Sequence, residues 1–193
     1  MWKHWSTYNP IMINSSLKKI FNALGFQGAW WLCVFGVLWG FPYLGPIAML
    51  IFLVSHMLLM GKGNSEFIFL ILIAMVGTVV DSLKASSGFI SYMGGYGSVK
   101  IIAPLWITAM WAGFAATINH SLYWIHNRYY LAFIIGAVFG PLAYMVGVKL
   151  QALSFNYSVF TSAIVLAAVW GISVPTMYWL SKKLGLSPMG IQT

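Results

Sequence analysis

Few residues in this chain are equipped to do chemistry. In 193 residues there are two carboxylates, Glu66 and Asp81, four histidines and one cysteine. Asn119, His120 and Ser121 stand in a row near the end of an apolar run, and His56 sits inside another. An imidazole titrates near neutrality, so it can relay a proton or hold a hydrogen bond. The two carboxylates belong to the same apolar run and would lie ~22 Å apart along a helix. That separation rules out hydrolysis by paired carboxylates. It also leaves Asp81 far from His120, so no Ser-His-Asp arrangement is expected. His56 and His120 alone are too few for an ordinary protein-only metal site. A single cysteine, Cys33, permits neither an internal disulfide nor a cysteine-based zinc site, and reads as a packing residue. No catalytic residue, metal or cofactor is therefore expected.

The elements that carry these residues are apolar. The chain is 61% hydrophobic and 6% charged, against about 25% charged in an ordinary soluble domain. The expected class is an all-α, polytopic transmembrane bundle of about six spans with short loops. The net charge of +8 does not point to nucleic acid, because the ten cationic residues are spread through the connections as the positive-inside rule would place them.

Residues 1–23 read as an amphipathic, interfacial segment or an untidy tail, with Ile13, Leu17, Phe21 and Leu24 on one face and Asn14, Lys18, Lys19 and Asn22 elsewhere. Residues 24–181 read as the six-span domain and 182–193 as a tail. Residues 24–60 make either two spans, turning near Gly40-Phe-Pro42, or one span and a re-entrant hairpin. The third span runs from Phe67 to about Leu83, the fourth over 101–125, the fifth from Tyr130 to Leu153 and the sixth from Tyr157 to Leu180. Small residues spaced for close helix packing include Gly113 on the fourth span and Gly136 and Gly140 on the fifth, with Pro141 beside them. Seven cations against three favour both termini on the cytoplasmic side of an inner membrane. On that topology His56, Asn119, His120 and Ser121 fall in the inner half, and Asp81 near the outer boundary. Asp81 is then either a carboxylate neutralised by Lys84 or Lys149, or a cation- or proton-binding site. The inner cluster is either hydrogen-bonding glue or a site for a lipid headgroup or a proton.

Pro104-Leu-Trp106, Phe114-Ala-Ala-Thr-Ile-Asn-His-Ser121 and Gly140-Pro-Leu-Ala-Tyr144, with Gly147 and Leu150, resemble a bacterial family of small inner-membrane proteins catalogued as a domain of unknown function. The resemblance covers most of the chain from the first span onward. It marks Asp81, Asn119, His120, Ser121, Gly140, Pro141 and Tyr144 as motif positions. It also implies a lipid-modification setting, since genes of that family sit beside cyclopropane-fatty-acyl-synthase-like methyltransferases. Three functions compete. The preferred one is an accessory protein in membrane-lipid modification or envelope physiology, with membrane lipids and a lipid-modifying enzyme as partners. The second is a small proton- or cation-coupled transporter built on a three-plus-three repeat, Gly45-Pro46 answering Gly140-Pro141. An intramembrane enzyme using His120 as acid and base comes last.

Overall fold

The computed structural model describes residues 15–97, 99 and 101–186. Six helices follow one another: α1 (Ser15–Leu38), α2 (Leu44–Met60), α3 (Asn64–Ser86), α4 (Leu105–Ile118), α5 (Tyr129–Lys149) and α6 (Val159–Lys183). Two three-residue strands, β1 (Ile90–Tyr92) and β2 (Leu153–Phe155), pair antiparallel with Ser91 opposite Ser154. This ladder ties the α3–α4 connection to the α5–α6 connection. The all-α bundle is as expected. Of the sequence segments at the two ends, residues 1–14 and 187–193 lie outside the described residues, as do Ser98 and Lys100.

The count of six spans needs correction. Among the described residues four helices, α1, α3, α5 and α6, are long and apolar enough to cross a membrane. The other two have 17 and 14 residues, reaching only ~26 and ~21 Å against a hydrocarbon core of ~30 Å. Each is short for a local reason. α2 is bounded by the turn at Gly40–Tyr43 and by Gly61, whose extended backbone stops the helix. α4 starts after the extended Pro104 and ends at Asn119, where the Thr117 carbonyl accepts the N–H groups of both His120 and Leu122 at 3.1 and 2.9 Å. The chain then makes a short 3-10 turn, Tyr123–Ile125, in place of the last two helical turns.

α1 runs unbroken through position 23, where the sequence suggests a boundary. Its buried stripe is Asn22, Ala29, Cys33, Gly36 and Val37, so Asn22 belongs to the core-facing side and not to a polar face. Cys33 packs directly on α2: a Cβ added at Gly45 would fall 2.2 Å from its Cα. Close approach also joins the other helices. A Cβ at Gly113 would meet the Met49 sulfur at 2.2 Å, and one at Gly77 the Trp111 ring at 2.1 Å. At Gly136 and Gly140 it would meet the Trp170 backbone and ring, both at 2.3 Å. Gly136 and Gly140 of α5 therefore face α6, with Pro141 buried beside them.

The packing divides the bundle in two. α1 to α4 interlock, and α5 packs along α6. α1 and α5, by contrast, pack at most sparsely on each other, and a cavity lies between the two groups.

Candidate functional site

Polar side chains gather at two ends of the bundle. The first cluster is built around Glu66, in the first turn of α3. Its carboxylate is buried, although it follows a polar turn, because three donors converge on it. Oε2 accepts the Lys62 backbone N–H at 2.7 Å. Oε1 accepts His120 Nε2 at 2.7 Å and His56 Nε2 at 3.2 Å. The two imidazole rings meet edge to face, their centroids 4.6 Å apart.

Asn22 of α1 orients this cluster. Its Oδ1 accepts the backbone N–H and the hydroxyl of Ser121, at 3.1 and 2.6 Å. Its Nδ2 donates to the Ala116 carbonyl at 3.0 Å and faces His56 Nδ1 at 3.2 Å. An N–H cannot accept and a carbonyl cannot donate, so the amide can sit only one way round. His56 Nδ1 must then be the acceptor, and its proton resides on Nε2, aimed at Glu66. His120 is the open member: its side chain is 11% exposed, and its Nδ1 has no partner among the described residues.

Glu66, His56 and His120 present three ligand atoms within 4.8 Å of one another, a two-histidine, one-carboxylate set of the kind zinc takes. The amide decides how well they fit. A metal on His56 Nε2 would put the ring proton on Nδ1, directly against the Asn22 N–H, and two donors would face each other. The donor set does not fit a metal while Asn22 holds this orientation. The arrangement is a hydrogen-bonded chain closing on a carboxylate.

Asn119 is next to His120 in sequence but not in this chain. Its Oδ1 accepts the Ser181 hydroxyl at 2.6 Å, binding the end of α4 to α6. Of the sequence-derived candidates, His56, His120 and Ser121 come together, Asn119 faces the opposite way, and Asp81 and Tyr144 lie elsewhere.

Asp81 and Tyr144 form the second cluster, ~22 Å along α3 from Glu66. Asp81 is wholly buried. Its Oδ1 accepts the hydroxyls of Tyr92 at 2.5 Å and Tyr144 at 2.7 Å, and Oδ2 accepts the Trp111 indole N–H at 2.6 Å. Lys84 makes the ion pair and also donates to the Tyr144 hydroxyl at 2.7 Å. Lys149 is exposed at the end of α5 and takes no part. Burial, and then the neighbouring Tyr144 and Asp81, raise the Tyr92 hydroxyl well above its ordinary pKa. It therefore stays protonated and donates.

Between the clusters lies the cavity, of about 770 Å³. Six of the ten tryptophans line it: Trp30, Trp31, Trp106, Trp111, Trp124 and Trp170. Phe26, Phe114 and Phe139 and aliphatic side chains of α5 fill most of the remaining wall. Ser121 reaches the cavity from the Glu66 cluster and Tyr144 from the Asp81 cluster.

A family of proteins of unknown function, DUF2878, matches the chain over residues 19–176. The chain belongs to the DUF2878 family. Among curated proteins and solved structures, none matches it. The stretch matched to DUF2878 includes both polar clusters and every cavity-lining residue, from Ala23 to Val174.

Sequence reasoning missed Asn22, Glu66, Trp111 and Tyr92 as members of these clusters. A signal existed for Asn22. Carried through position 23 as one helix, the face holding Ala29, Cys33 and Gly36 includes it at i−7. Glu66 had no comparable signal, since only the fold brings two histidines to it.

Proposed function

We propose that this is an inner-membrane protein that holds one lipid-like molecule between α1 and α5, in the service of membrane-lipid modification. The observation that carries this reading is the cavity. Its volume lies within the range of small-molecule sites, and its wall is aromatic and aliphatic with few polar groups. The sparse packing between α1 and α5 supports entry from the side, out of the bilayer. Lys18, Lys19, Lys62, Arg128, Lys182 and Lys183 gather at the Glu66 end, which supports a cytoplasmic placement of that end and of both termini.

The transporter reading has less to support it. The helices run 24, 17 and 23 residues, then 14, 21 and 25, so the halves do not repeat. Pro46 stands in the first turn of α2, whereas Pro141 lies inside α5. Both carboxylates are already engaged by protein donors.

The test is native mass spectrometry of the protein released from its own membrane, with Ala143→Phe as the cavity-filling comparison. The wild type should carry a one-to-one apolar adduct that the variant loses while keeping its melting temperature. Equal adducts in both proteins would defeat the proposal. Reporter fusions after Gly63 and Thr193 should both read cytoplasmic, and a periplasmic signal from either would reverse the orientation.

A further inference from the structure

At the Glu66 end of the bundle the fold draws three basic side chains together from three separate connections. Lys62 lies in the turn between α2 and α3, His126 just before α5, and Lys182 in the last turn of α6. Four residues before Lys182, the Tyr178 ring meets the His126 ring edge to face, their centroids 5.8 Å apart. Four residues after it, the Leu186 carbonyl accepts Lys62 Nζ at 3.1 Å. Lys182 stands between these two contacts. Burial, and then the charges of Lys182 and Lys62, hold the His126 imidazole below its ordinary pKa.

Neither acidic side chain answers these cations. Asp81 lies at the far end of α3, and Glu66 is engaged by His120, His56 and the Lys62 backbone N–H. Lys182 is exposed and makes no hydrogen bond or ion pair among the described residues. Lys62 is exposed too, and commits one of its three ammonium hydrogens to Leu186. The positive-inside rule asks for cations at this end. It does not ask that cations which repel one another converge, and a bound anion offsets that repulsion.

Depth and neighbours select the anion. The ends of apolar helices reach the headgroup layer, where anionic lipids concentrate negative charge. Exposed Trp124, Tyr130 and Trp179 mark the same level. One to two turns deeper along α6, Pro175, Thr176 and Trp179 form a groove of about 330 Å³ with Tyr129 of α5. Thr176 spends its hydroxyl on the Ile172 carbonyl, so the groove is largely apolar. An acyl chain fits such a groove, whereas a free phosphate would leave it unfilled.

We propose that Lys62 and Lys182 hold the phosphate of an anionic phospholipid from the adjoining leaflet, beside His126, with one acyl chain in the groove between Tyr129 and Trp179. This site is separate from the cavity between α1 and α5.

The experiment follows the His126 imidazole by ¹⁵N NMR of the full chain in nanodiscs, with His126→Gln to assign its signal. The pKa is read at constant ionic strength in phosphatidylcholine alone and with phosphatidylglycerol added. Phosphatidylglycerol should raise it by roughly half a unit, the effect of one unit charge acting through water over about 8 Å. In the Lys62→Gln, Lys182→Gln double variant the value should already be higher in phosphatidylcholine, and phosphatidylglycerol should add little. If that variant melts below wild type, Lys182→Gln alone, at an exposed position, should show part of the same change. No rise in wild type would overturn the proposal. An equal rise in wild type and variant would report only the general surface potential and overturn the site. An equal rise with inorganic phosphate in phosphatidylcholine nanodiscs would overturn the lipid as the source. Ala143→Phe, which fills the cavity, should respond as wild type does. A response lost there would assign the lipid to the cavity and overturn the separate site.

Discussion

Hydrogen-bond directionality fixes the single residues of both polar clusters. Because Asn22 can sit only one way, His56 should show a protonated Nε2 and a bare Nδ1 in its ¹⁵N spectrum. Asn22→Asp supplies an acceptor in place of the amide N–H, so a second proton should join His56 at Nδ1 while Nε2 stays bonded to Glu66. The same directionality changes the expectation for Asp81. As a boundary carboxylate, Asp81→Asn would cost little. As a buried carboxylate with four donors it cannot be replaced by an amide without setting N–H against N–H and stranding Lys84. The expected loss is about 3–5 kcal/mol, seen as a collapse of melting temperature in detergent, and Lys84→Met should recover part of it in the double variant. His126 provides a pH test outside the helices. Burial, then Lys182 and Lys62, lower its pKa from 6.5. As pH falls through 6.5 the unfolded chain takes up a proton that the folded chain resists. Stability should therefore decline until the folded value is passed, and His126→Gln should remove that part of the decline. His120, Ser121, Asp81 and Tyr144 were recognisable as polar groups in apolar runs. Glu66 was not, because it reads as the end of a polar turn, and its histidines arrive from α2 and from the turn after α4.

At the scale of elements, small residues were the most legible feature. Gly136 and Gly140 stand at four-residue spacing, and both sit against Trp170. A branched side chain at Gly140 must displace that indole. Gly140→Leu should cost at least the 1–3 kcal/mol typical of overpacking, whereas Val138→Leu, on an exposed position of α5 away from the cavity, should melt close to wild type. Helix length was less legible. Residues 101–125 read as one continuous span because hydropathy averages over the Asn-His-Ser triplet. The backbone instead leaves the helix at Asn119, and that departure aims Ser121 at Asn22 and His120 at Glu66. The strands were hidden altogether: three residues are too few to show a two-residue period, and Leu153 and Phe155 look like the tail of α5.

At the scale of the whole molecule, membrane class followed from composition, while the division into two packed groups did not. Nothing in the sequence shows that α1 and α5 stay apart, since hydropathy does not distinguish an aromatic residue facing the cavity from one facing lipid. On the Asp81 side the β1–β2 ladder and the Tyr144 hydroxyl fasten the groups. At the other end the Tyr178 hydroxyl donates to the Leu122 carbonyl at 2.8 Å, and Ser181 holds Asn119. All of these fastenings belong to α6, to β2 or to Tyr144 of α5, and none of them joins α5 to α1.

A slot left open in this way exchanges with a two-dimensional solvent. Its occupant is drawn from the surrounding leaflet without passing through water, so saturation is governed by mole fraction in the bilayer. Diluting a proteoliposome suspension tenfold with buffer should leave occupancy unchanged. Fusing the same vesicles with ligand-free phospholipid should empty the slot in proportion to the lipid added.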